Sequence, residues 1–124
     1  MENCSSKFKI DIKKRAYLYA LQIIKLLDQL PQNDFSCQVI AKQLLRSSTS
    51  IGANIIEAQA ASSRRDFTNQ LNHALKSANE SKFWLGLLRD SNKAEKGLVN
   101  SLLKETNELA NILGSSILTL KDKR

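Results

Sequence analysis

The chain has 124 residues, 42% of them hydrophobic and 25% charged, which suits one domain with one modest core and an ordinary soluble composition. Nineteen Lys and Arg against twelve Asp and Glu give a net charge of +7, so an anionic partner is favoured over a cationic one. Four Gly and one Pro are few for this length, and no Asn-Gly or Asp-Gly turn or period-2 alternation competes with helix.

The first helical segment runs from about Ile10 to Leu30. Tyr17, Ala20, Leu21, Ile24 and Leu27 recur at three and four, which predicts one buried stripe. Pro31 stops this helix, because proline restricts the residue before it and has no N–H to give. A second helix is expected from about Ser36 to Ala60, with Ser36 as its N-cap. Ile40, Leu44, Ile51 and Ile55 form its stripe, with the small Ser48 on the same line. Ser50, Asn54 and Glu57 follow one another at i, i+4 and i+7, so they share a face that borders the stripe.

A third helix is expected after Ser63, where Ser63 and Asp66 have capping-box spacing with Asp in place of Glu. Phe67, Leu71, Ala74, Ala78, Leu85 and Leu88 line one face at near-heptad spacing. The fourth helix follows Asp90-Ser91-Asn92, with Asn92 and Glu95 as the expected caps. Leu98, Leu102, Leu109, Ile112, Leu113 and Leu120 carry its stripe. Gly114 weakens it locally, by roughly 1 kcal/mol relative to Ala, and the tail from Lys121 is expected to fray. Short connections between long helices predict an all-α fold, an antiparallel up-down-up-down four-helix bundle that takes residues 1–124 into one domain.

Few residues suit bond-making chemistry. Cys4 and Cys37 fit no zinc spacing and read as reduced thiols. His73 is the single histidine and has no ligating companions at suitable spacing. Glu57 and Glu80 are the nearest approach to a catalytic carboxylate pair, but no nucleophile or second acid stands with them. No catalytic residue, metal or cofactor is therefore expected. The start, MENCSSKFK, lacks the apolar run of a signal peptide, and no stretch is apolar enough to cross a membrane. A cytoplasmic protein without a membrane partner is the expectation.

Arg46-Ser47-Ser48-Thr49-Ser50-Ile51-Gly52-Ala53-Asn54-Ile55-Ile56-Glu57-Ala58, followed by Ser63-Arg64-Arg65-Asp66-Phe67, Leu75-Lys76, Glu80 and Trp84-Leu85, resembles the signature of the 23S ribosomal RNA intervening-sequence protein family. The resemblance covers most of the chain and is densest over residues 44–88. It implies an antiparallel four-helix bundle that assembles into a ring, commonly a homopentamer, without catalytic residues. A related branch, the accessory variability determinants of diversity-generating retroelements, implies a basic pentamer that binds a reverse transcriptase and nucleic acid. Many members have Gly after the signature Glu. Ala58 stands there in this chain, which implies a second helix that runs on for a further turn.

Two groups of residues become candidate sites. Ser50, Asn54 and Glu57, with Lys76 and Glu80 at i, i+4 on the third helix, form an expected polar network that sets helix register or meets a neighbouring subunit. Lys13, Lys14 and Arg15, then Arg64 and Arg65, then Lys121, Lys123 and Arg124 form three basic groups. An up-down topology brings the starts of helices 1 and 3 and the end of helix 4 to one end, so these groups are expected to gather at one pole. Such a pole would neutralise the phosphates of RNA or DNA, largely without regard to sequence. The expected function is a non-enzymatic homo-oligomeric module that binds nucleic acid or a nucleic-acid-handling protein. A protein-only scaffold whose charge serves solubility is the alternative.

Overall fold

The structure is a computed structural model that describes residues 4–122, with side chains from Ile12 onward. Four α-helices follow one another: α1 (Cys4–Asp28), α2 (Phe35–Gln59), α3 (Arg64–Asp90) and α4 (Lys96–Asp122). Each helix packs on its neighbour in sequence, and α4 closes back on α1. This is the antiparallel up-down bundle expected from the short connections. Among the described residues no strand forms, and no helix is long and apolar enough to cross a membrane.

The helix ends follow from local chemistry, with two corrections. Asp34, not Ser36, caps α2: its carboxylate accepts from the Cys37 N–H at 3.0 Å and from the Ser36 hydroxyl at 3.1 Å. Glu95, not Asn92, caps α4 by accepting from the Gly97 and Leu98 N–H groups, each at 2.7 Å. Asn92 instead ends α3. It adopts a left-handed φ of 60°, which Asn tolerates better than most residues. There the Lys93 N–H reaches the Leu88 carbonyl at 3.0 Å and the Asn92 N–H reaches that of Arg89 at 3.1 Å, a Schellman closure. Ser63 caps α3 as expected, accepting from the Asp66 N–H at 3.1 Å. With Ala at position 58, α2 continues to Gln59.

The core is one cluster drawn from all four helices. Helix α1 contributes Ile12, Ala16, Tyr19, Ile23, Leu26 and Leu30 to it. That overturns the expected stripe: Tyr17, Leu21 and Ile24 are exposed and Ala20 and Leu27 are half-buried. Helix α1 therefore carries two apolar stripes, and the bundle buries only one. In α2, α3 and α4 the buried rows run through Leu44, Ile51 and Ile55, through Leu71, Ala74, Ala78, Leu85 and Leu88, and through Leu102, Leu109 and Leu113. Helices α1 and α2 come close at Ala16 and Gly52. A methyl added at Gly52 would sit 3.5 Å from the Ala16 Cβ.

Candidate nucleic-acid interface

The basic residues divide when placed on the fold. Arg64 and Arg65 are the first two residues of α3, and Lys121 lies in the last turn of α4. All three are exposed at the same end of the bundle. Lys123 and Arg124 lie outside the described residues. Lys13 and Lys14 are exposed too, but they stand about two and a half turns into α1. They flank the bundle toward that end instead of crowning it. Arg15 leaves the group altogether. One residue past Lys14 it has turned about 100° toward α4, where its Nε and Nη2 donate to the Glu105 carboxylate at 3.0 and 2.6 Å. Glu108 stands 3.9 Å from the same guanidinium. The charge of Arg15 is answered within the chain.

Carboxylates also reach this end: Glu57, Asp66 and Asp122. Arg64, Arg65 and Lys121 equal them in number, and Lys13 and Lys14 lie along the flank, level with Glu108. The opposite end is balanced too. There Lys25, Arg89, Lys93 and Lys96 face Asp28, Asp34, Asp90 and Glu95 in equal number. Two of these cations are tied down: Lys93 pairs with Asp34, and Arg89 Nε donates to Asp90 at 2.9 Å. Both carboxyls lie below the usual range, Asp34 through the Lys93 hydrogen bond first and Asp90 through that of Arg89.

The expected polar network is half present. Asn54 Nδ2 donates to the Ser50 carbonyl and hydroxyl, each at 2.8 Å, and the Ser77 hydroxyl on α3 donates to Ser50 Oγ at 3.0 Å. This tie fixes α2 against α3. Glu57 and Lys76 are not in it. Both are exposed, and their side chains have no hydrogen bond or ion pair among the described residues. The i, i+4, i+7 line drifts round the helix, so Glu57 reaches its solvent margin and needs no partner. Glu80 belongs to a separate cluster, where it accepts from Trp84 Nε1 at 2.9 Å and from Arg46 at 3.3 Å. His73 is exposed, and no group of three or more His, Cys, Asp or Glu stands ready for a metal among the described residues.

A second polar set, not anticipated from the sequence, lies inside the core. The Tyr19 hydroxyl meets Thr106 Oγ1 at 2.7 Å, and Ser47 Oγ meets Ser81 Oγ at 2.8 Å. Thr106 already donates to the Leu102 carbonyl at 2.7 Å, so Tyr19 is the donor of its pair. Burial pushes the Tyr19 phenol up to about 12. The signal was in the sequence: Ser47, Ser81 and Thr106 each occupy a core position of a mostly apolar row. In the first turn of α2, the Cys37 thiol is fully buried and raised from its ordinary value by that burial.

An open apolar groove of about 610 Å³ runs between α1 and α2 on the outside of the bundle. Ala16, Ala20, Gly52 and Ala53 form its floor, Tyr17 and Ile56 its walls, and Lys13 and Lys14 one end.

Comparison with known proteins places this geometry. A family model described as 23S rRNA-intervening sequence protein matches residues 9–115. Among solved structures, a protein of unknown function from the S23 ribosomal protein family of Bacteroides thetaiotaomicron is 40% identical. The match covers 89% of this chain and 97% of that one, with a TM-score of 0.82. Comparison with curated proteins returned no match.

Proposed function

Since the chain belongs to the 23S rRNA-intervening sequence protein family, we propose that it is a non-enzymatic, homo-oligomeric module of the cytoplasm. It holds nucleic acid, or a nucleic-acid-handling protein such as a reverse transcriptase, through the end of the bundle where α1 and α3 begin. One observation carries this reading. Arg65 and Lys121 stand exposed at that end without an ion pair among the described residues, whereas at the other end Arg89 and Lys93 are held by Asp90 and Asp34. Phosphate neutralisation needs no base-reading groove, so sequence preference is weak and salt dependence strong. The shifted titrations fit a structural role, since each has a packing, capping or ion-pair cause. An assembly of several copies, five by family resemblance, multiplies weak contacts into avidity.

Fluorescence anisotropy with labelled single- and double-stranded RNA and DNA tests the reading. Binding at low salt is expected to disappear at moderate salt, with a log–log slope of about −0.9 per phosphate contact on duplex DNA. Replacing Arg64 and Arg65 with Ala flattens the slope and weakens all sequences alike. Absence of binding at low salt would shift the assignment to a protein-only scaffold.

A further inference from the structure

Folding one chain leaves the second apolar stripe of α1 uncovered. Tyr17 is 66% exposed and Ile56, across the groove on α2, is 51% exposed. Contiguous apolar surface of this kind marks an interface. We infer that the α1–α2 groove receives the α1–α4 face of a second copy, head to tail, with Lys13 and Lys14 meeting Glu108 of that copy. The inference rests on the self-assembly proposed above and names the faces that build it.

Charge complementarity selects the occupant. Lys13 and Lys14 close one end of the groove and form no ion pair with the described residues. On the α1–α4 face, Glu105 is engaged by Arg15 at 2.6 Å, whereas Glu108 is 52% exposed and stands off at 3.9 Å. Glu108 therefore has acceptor capacity to spare. The same face carries Leu18, 49% exposed, an apolar knob for a floor of Ala and Gly.

Height along the bundle agrees. Rotation about an axis parallel to the helices keeps every residue at its own height. Glu108 lies near Arg15, so it is level with Lys13 and Lys14. Leu18 lies on α1 between Tyr17 and Ala20, which line the groove. Both contacts are thus level without any shift between copies. The two faces share α1 and are adjacent sides of the bundle, about 90° apart. A heterologous contact with that turn closes after roughly four or five copies, with α1 toward the axis. A two-fold pairing of α1 with itself would set Lys13 and Lys14 on Asp28 of the other copy and leave Leu18 uncovered.

Charge reversal followed by light scattering tests the choice of faces, with helical content checked by circular dichroism. Lys13→Glu with Lys14→Glu raises the concentration for half-assembly at least tenfold, as does Glu108→Lys, and the three together restore it. Thr49 on α2 also lines the groove, so in a Cys4→Ser background Leu18→Cys with Thr49→Cys gives a ladder of disulfide-linked copies that ends at the ring, whereas each single cysteine gives none. A monomeric parent overturns the self-assembly reading itself. An assembled parent overturns only these faces in any of three outcomes: charge reversal leaves it unmoved, Asp28→Lys rescues the lysine reversal, or Leu18→Cys alone gives a covalent dimer.

Discussion

Thr106 is the acceptor on which the Tyr19 phenol depends, and both are sealed in the core. Removing either partner has unequal consequences. Tyr19→Phe deletes one hydrogen bond and leaves Thr106 still donating to Leu102, a cost of about 1 kcal/mol. Thr106→Val removes the acceptor that the phenol meets at 2.7 Å and leaves Ser81 as the hydroxyl beside it, which costs about 1–3 kcal/mol. Thermal melting should rank Thr106→Val below Tyr19→Phe, and the double variant should lose less than the two losses added. Alkali supplies a second readout. The phenol ionises near 10 in the unfolded chain and near 12 in the folded one. The group's contribution is therefore complete below pH 10 and is lost as pH rises toward 12, because the unfolded chain sheds its proton first. The loss amounts to roughly 2–3 kcal/mol. Denaturant melts from pH 9 to 12 should fall less steeply for Tyr19→Phe than for the parent.

Helix packing turns on its glycines. Gly114 has open space where a Cβ would go, so Gly114→Ala gains helix propensity without a clash. It should stabilise by about 1 kcal/mol, read in urea melts. Gly52 differs, because a Cβ there is already in contact with Ala16 and a longer side chain has to turn into the α1–α2 groove. Gly52→Leu should therefore gain less than Gly114→Ala and fill the groove, which lowers assembly of the copies proposed to dock there, read by light scattering. These contacts also explain what could be read in advance. Four helices and their order were legible from apolar spacing, Pro31 and the Ser63 cap. The buried side of α1 was not. Its two stripes, through Tyr17, Leu21 and Ile24 and through Ala16, Tyr19 and Ile23, both satisfy a three-and-four spacing. Which one turns inward is settled by the fit of Ala16 on Gly52 and by a hydroxyl partner on α4, and no window within α1 contains either. Likewise Ser50 and Asn54 were readable as a pair on one face. Their partner Ser77 depends on the register of α3 against α2. The isolation of Glu57 depends on how far round α2 the neighbouring helices reach.

Across the whole molecule the two ends differ in how charge is answered. Net charge alone would let any lysine contribute to binding an anion, whereas the fold makes some unavailable. Lys93 and Arg89 are held by Asp34 and Asp90, and Arg15 by Glu105. Arg65→Ala with Lys121→Ala should therefore weaken nucleic-acid binding several-fold at low salt, and Arg89→Ala with Lys93→Ala should leave it near the parent value. The two variants carry the same net charge, so a difference in anisotropy titrations reports placement and not composition. Equal weakening would show that diffuse charge is enough and would remove the end-specific interface.

The buried thiol of Cys37, beside the cap that starts α2, offers a clock. A thiol reacts as its thiolate and only when reagent can touch it. With Cys4 replaced by Ser, alkylation of Cys37 has to wait for the α1–α2 turn to open. When opening and closing are fast compared with the chemistry, the slowing relative to a free thiol gives the equilibrium constant of that opening. Loosening the Asp34–Lys93 tie should speed labelling even where the global melt hardly changes, which separates fraying of one corner from unfolding of the bundle.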